Sequence, residues 1–371
     1  MTRTNKTLLM LLCLLVGTIA MQAQSTSDNK ARVAEIRKMY ADAKKRMDAN
    51  DKHGNPALDM TITYKDVVLE EEGYTEEDER TYYFDHVREY KDDQFYEKNV
   101  PFFIIRDWSA VGHTSYTEMM INPKNGKLVF YFDRSETHAG LITETRYYYD
   151  DNGKLIEQKH KRGNEERLTD VEPEDGQDGT EEVKKCQSYI QHFNLAMNQQ
   201  EVEENANNST LTTTPKADRL NNIRSAYAKA KEKIKASETR SVLPRDIVVV
   251  IHDQEEGDCP PTTFVLNYWF DELKTGEQTH NNAYFISSRY YFMGFDNYNE
   301  YLVDPESQRL MFTYNQGLEE NEKMEWRYYF DENGKCIETK TNTEEQDNGA
   351  EAKHTFERYM KLFNIFANGE E

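Results

Sequence analysis

The stretch "RYYYDDNGKLIEQK" at residues 146–159 returns, lightly edited, as "RYYFDENGKCIETK" at 327–340. In each copy an Asn-Gly pair stands between two β-prone runs. Asn-Gly accepts the positive φ angles of a type I′ turn, so both copies read as β-hairpins. A hairpin turn by itself gives no reason for being written twice, so the extent of the likeness decides the fold.

The likeness runs through most of the chain. "VAEIRKMYADAKKRMDA" (33–49) matches "LNNIRSAYAKAKEKIKA" (220–236). Val33, Ile36, Tyr40, Ala43 and Met47 fall opposite Leu220, Ile223, Tyr227, Ala230 and Ile234, at spacings of three and four that form one helical stripe. "YYFD" (82–85) matches "YWFD" (268–271), and "FFI" (102–104) matches "YFI" (284–286). "SYTEMMINPKNGKLVFYF" (115–132) matches "NYNEYLVDPESQRLMFTY" (297–314), and "CQSYIQHFN" (186–194) matches "FERYMKLFN" (356–364). A repeat of this length is a folding unit, unlike the short units of solenoids.

The expected fold class is therefore α+β, with two tandem copies of one module. Each copy has an N-terminal helix, a curved antiparallel meander of about seven strands and a C-terminal helix. The boundaries read as module 1 over 28–198, a linker over 199–216 and module 2 over 217–371, each module with its own sheet. The linker "QQEVEENANNSTLTTTPK" is polar and lacks apolar periodicity. In "LVFYF" (128–132) both alternating faces are apolar, which predicts helices on both sides of the sheet.

The first residues, "MTRTNKTLLMLLCLLVGTIAMQAQ", place Arg3 and Lys6 before an apolar run from Leu8 to Val16 and small-residue cleavage sites after Ala20 or Ala23. This reads as a signal peptide over 1–23 and predicts an exported chain: periplasmic, cell-surface or secreted. No later stretch approaches 18 uninterrupted apolar residues, so no membrane span is expected. The net charge of −22 argues against nucleic acid and anionic membranes as partners, because such partners require clustered Lys and Arg. Beyond the leader the cysteines are Cys186, Cys259 and Cys336, an odd number. Cys186 stands where the second copy has Phe356, and Cys336 where the first has Leu155, so both read as small core residues. A Cys259–Cys336 disulfide stays open.

Familiar catalytic patterns, GxSxG, HExxH, CxxC, GxGxxG and the P-loop, are absent from the sequence. No histidine recurs between the copies: His192 faces Leu362 and His86 faces Glu272. No cofactor and no metal site are expected, and "DVEPEDGQDGTEE" (170–182) lacks the order of a calcium loop. Carboxylates do recur, at Asp85 and Asp271 and at Glu118 and Glu300, and read as strand-end or surface groups. Arg146 and Arg327 also recur, with roles in stacking on an aromatic ring, in pairing with Asp85 or Glu118, or in binding an anion.

The candidate ligand-binding residues are Trp108, His113, Tyr116, Tyr290 and Tyr298, a set of aromatics suited to stacking on a sugar or peptide. Because recurring residues are mostly aliphatic, aromatic or turn-forming, they read as scaffold. The site is then expected from non-equivalent residues near the junction, such as Trp108, His113 or Cys259. The functional expectation is an exported, non-catalytic binding or envelope-associated protein whose partner is a protein, peptide or glycan of the cell envelope. The alternatives are a hydrolase with its site between the modules and a structural component of an envelope complex.

Overall fold

The computed structural model describes residues 28–48, 58–69, 72–91, 94–172, 177–198, 214–239, 241–253, 262–275, 278–292, 295–319, 322–343 and 348–368. The leader, Cys259, the linker up to residue 213 and part of the acidic loop lie outside them. Helix α1 (28–48) precedes β1 (Asp59–Leu69), β2 (Tyr74–Lys91), β3 (Gln94–Ala110), β4 (His113–Asn122) and β5 (Lys127–Glu136). β6 (Ile142–Tyr149), β7 (Leu155–Asn164) and β8 (Arg167–Val171) follow, then α2 (Thr180–Met197) and α3 (Lys216–Glu238). The second half continues with β9 (Asp246–Asp253), β10 (Thr262–Thr275), β11 (Gln278–Phe292), β12 (Phe295–Val303), β13 (Leu310–Glu319), β14 (Glu322–Phe330), β15 (Cys336–Thr341) and α4 (Ala350–Asn368).

The fold is α+β, and the strands form an antiparallel meander. The expectation of a separate sheet per half is corrected: all fifteen strands belong to one sheet, in the order β15 to β9 and then β1 to β8. The reason is an edge. β1 and β9 each open a meander, so each would leave a row of backbone N–H and C=O groups unpaired, and antiparallel pairing with the other satisfies both rows. The first half supplies eight strands where about seven were expected. β8 pairs with β7 in the stretch from Leu155 to Cys186, which is longer than its counterpart from Cys336 to Phe356 in the second half.

The register at the junction is centred. Met60 faces Tyr82 across β1–β2, and Ile247 faces Tyr268 across β9–β10. Tyr82 and Tyr268 match in sequence, which makes Met60 the counterpart of Ile247 and Ile62 the counterpart of Val249. Ile62 and Val249 face each other across β1–β9. Counterparts meeting on a local axis is the arrangement of a two-fold, isologous contact.

Helices cover both faces, as the two-sided apolar strands require. The stripe of α1 packs Val33, Ile36 and Ala43 on Phe102, Phe103, Met120, Val129, Phe130 and Tyr148. On the same face, α3 packs Leu220, Ile223, Ala230 and Ile234 on Tyr284, Phe285, Leu302, Met311, Phe312 and Tyr329. The opposite face carries one core that runs through both halves beneath α2 and α4. There Phe193 of α2 sits 5.6 and 5.5 Å from the rings of Tyr82 and Phe84, and Phe363 of α4 sits 5.5 and 5.9 Å from those of Tyr268 and Phe270. Cys186 is fully buried in this core, where burial pushes its thiol up to about 12. Cys336 packs against the same core, and both cysteines are free thiols.

The repeated hairpins form, with a different turn from the one expected. The Asp150 N–H donates to the Lys154 carbonyl at 2.9 Å and the Asp331 N–H to that of Lys335 at 2.9 Å. Three residues are thus enclosed, and the only positive φ in each turn belongs to glycine, +81° at Gly153 and +74° at Gly334. The Asp150 and Asp331 carboxylates accept the N–H groups of Asn152 and Asn333 at 2.8 and 2.9 Å. These bonds favour the wider turn over a two-residue one.

Candidate functional site

A polar cluster on the α1 face surrounds Glu118, which is buried on β4. Its carboxylate accepts the Tyr40 hydroxyl at 2.5 Å and the Tyr116 hydroxyl at 2.7 Å, with Lys44 Nζ at 3.1 Å. Glu300 on β12 has the same set: Tyr227, Tyr298 at 2.7 Å and Lys231 at 2.9 Å. Burial first, and then the carboxylate each one bonds, push the phenols of Tyr40, Tyr116, Tyr227 and Tyr298 well above the usual tyrosine range. Each cluster fastens one helix to the sheet and leaves its carboxylate saturated.

Beside the first cluster a groove of about 490 Å³ opens between α1 and strands β5 to β7. Its aromatic lining is Tyr40, Phe130, Phe132 and Tyr148, and its cations are Arg37, Arg146 and Lys159. The two guanidinium groups lie over rings, Arg146 over Phe132 at 5.2 Å and Arg37 over Tyr148 at 5.4 Å. Bonding to Tyr148 raises the pKa of Arg37 further above its ordinary value. Two carboxylates partner the cations: Glu144 accepts from Arg146 at 3.2 Å, and Glu157 lies 3.2 Å from Arg37 and 3.4 Å from Lys159.

Every one of these residue types has a counterpart in the second half. Arg37 matches Arg224, Tyr40 matches Tyr227, and Phe130 matches Phe312; Tyr314 takes the place of Phe132. The repeated hairpin supplies the rest, Arg327, Tyr329 and Lys340 for Arg146, Tyr148 and Lys159. Arg327 lies over Tyr314 at 5.2 Å and bonds Glu325 at 2.8 Å, while Lys340 lies 5.9 Å from the Tyr329 ring and 3.2 Å from Glu338. Asp85, an expected partner for these arginines, is held by Arg46, and Asp271 is held by Lys233.

The residues singled out from sequence are dispersed. Trp108 shares a face with Ile104 and α2 and donates its indole N–H to Glu76 at 2.6 Å, whereas Tyr116 is on the α1 face with Glu118. Tyr290 follows Ile286 on the α4 face, and Tyr298 reaches Glu300 on the α3 face. The sheet therefore separates each pair. Trp108 and Tyr116 do border one recess of about 320 Å³, whose lining combines the carboxylates Glu77, Glu79, Asp107 and Glu136 with Arg134 and hydroxyl side chains. His113 is exposed at the start of β4. Neither Trp108 nor His113 adjoins the β1–β9 pairing, because β2 intervenes.

Sequence reasoning passed over Arg37, Lys159, Glu144 and Glu157. The signal was present: "EIR" and "NIR" carry Arg37 and Arg224, and the repeated hairpins end on Lys159 and Lys340. A reading that takes recurring residues as scaffold sets that signal aside.

The first half alone carries a second charged cluster, on the α2 face. Asp78 accepts from Arg80 at 2.6 Å and from Arg106 at 2.9 Å, and Arg80 lies over the Tyr189 ring at 4.6 Å. Burial acts to raise the Asp78 pKa, but the two arginines outweigh it and hold the carboxyl below the usual range. Phe264, Leu266 and Ser288 stand at the counterpart positions. One buried carboxylate thus holds two guanidinium groups, and Arg80 also lies over Tyr189 of α2, so the cluster ties β2 and β3 to that helix.

Among the described residues, no group of three or more His, Cys, Asp or Glu is placed to hold a metal ion, and no helix is long and apolar enough to cross a membrane. No protein-family model, no curated protein and no solved structure matches this chain.

Proposed function

We propose that the chain is an exported, non-catalytic binding protein built by tandem duplication of one α+β module, with an equivalent ligand groove in each half. The observation that carries this reading is the recurrence of all seven groove positions, including the three cations. Packing alone would preserve the aromatics. It does not require Arg146, Arg327, Lys159 and Lys340, which are a third to a half exposed. The centred register of β1 and β9 supports the duplication. The leader supports export, with a mature start at Met21 or Gln24.

The test is a thermal-shift screen of neutral and charged sugars, peptides and aromatic acids against the mature chain. The reading expects ligands that stabilise the native protein and lose their effect in an Arg146→Ala/Arg327→Ala double variant. Ligands that stabilise both proteins equally, or that are chemically converted, would contradict it.

A further inference from the structure

We infer that each groove takes a small, singly charged carboxylate carried on a flat ring; this rests on the grooves being the binding sites. Glu144 is shared with Arg134, which also meets Glu165, so Arg37, Arg146, Lys159 and Arg134 face Glu144, Glu157 and Glu165, and one positive charge stands uncompensated in a chain of net charge −22. That setting selects by number of charges. One anionic group gains the local cation, whereas a dense polyanion meets the repulsive field of the whole surface.

The groups themselves select a carboxylate. Arg146 and Arg37 each lie over a ring, which restrains the guanidinium, and each keeps N–H donors beyond those used by Glu144 and Glu157. A guanidinium matches a carboxylate in bidentate fashion. Phe130, Phe132 and Tyr148 provide apolar walls, and a volume of about 490 Å³ is within the range of small-ligand sites. A bare anion would leave those walls wet, and a neutral ring would leave the cation unused.

The experiment is calorimetric titration of the mature protein with three probes: 2-naphthoate, with charge and ring; 2-naphthamide, with the ring alone; and acetate, with the charge alone. The expected result is two naphthoate sites per chain, bound at least tenfold more tightly than either control. Arg146→Ala alone should reduce two sites to one, and so should Arg327→Ala alone. Lys159→Gln, at a more exposed position, should weaken one site several-fold and keep the fold intact. Equal binding of naphthamide, lost in the double variant, would overturn the anion assignment and leave the grooves as binding sites. Naphthoate binding that survives the double variant unchanged, or no naphthoate binding at all, would overturn the inference; the former would remove the grooves as sites as well.

Discussion

Glu118 and Glu300 show how a single carboxylate can hold a helix to a sheet. Each is buried, and each is bonded by two phenols and an ammonium group, so removing it strands several donors at once. Glu118→Ala should cost about 2–4 kcal/mol in chemical denaturation, and Tyr116→Phe, which removes a single bond, about 1 kcal/mol. The same clusters set an alkaline limit. The pKa values of Tyr40, Tyr116, Tyr227 and Tyr298 are raised in the folded state above the unfolded value near 10. The folded chain therefore binds more protons than the unfolded chain above that pH. Stability should be fully present below about pH 10 and fall as pH rises beyond it. Tyrosinate absorbance should then appear together with loss of the circular dichroism signal; gradual ionisation of a chain that stays folded would contradict this. At this scale the sequence was partly legible. The recurrence of Glu118 and Glu300 was legible, but both read as strand-end or surface groups whereas the structure buries them, and Tyr40 and Tyr227 read as stripe residues because a helical pattern does not reveal where a hydroxyl ends.

Helices and strands were the most legible elements, because their periodicity is imposed by burial. Val33, Ile36 and Ala43 line one side of α1 since that side alone meets the sheet. What ends the last helix of each half was not legible. Asn198 exchanges two hydrogen bonds with the backbone of Asn99, at 2.7 and 2.8 Å, and Asn368 does the same with Asn281, at 2.9 and 3.1 Å. A side-chain amide here imitates the pairing of a neighbouring strand and ties the helix end to β3 or β11. Asn198→Ala and Asn368→Ala should each lose about 1–2 kcal/mol. Amide exchange should speed up at Asn99 or Asn281 and the adjoining helix end, and unchanged exchange there would remove this role. The turn type was misread for a related reason: Asn152-Gly153 suits a two-residue turn, but the Asp150 carboxylate closes a longer one.

For the whole molecule, the likeness between the two halves was legible in sequence and the way they join was not. "DMTITYK" (59–65) and "DIVVVIH" (246–252) share little beyond β propensity, and backbone pairing leaves no mark in side-chain identity. The first strands of the two halves, β1 and β9, pair within one sheet and so satisfy each other's edge, and the core under α2 and α4 runs through both halves. The central claim is this centred junction, and a designed disulfide tests it most directly. Thr61 faces Val250 across β1–β9, and both are half-buried on the side away from that core. Directly opposed residues in an antiparallel pair are about 4.5–5.5 Å apart at Cα, within reach of a disulfide. Under mild oxidation a Thr61→Cys/Val250→Cys chain should form that bond within a single chain, detected by peptide mapping, while Thr61→Cys/Val248→Cys, two residues out of register, should not. Bridging of the out-of-register pair, or bonds formed only between chains, would contradict the account.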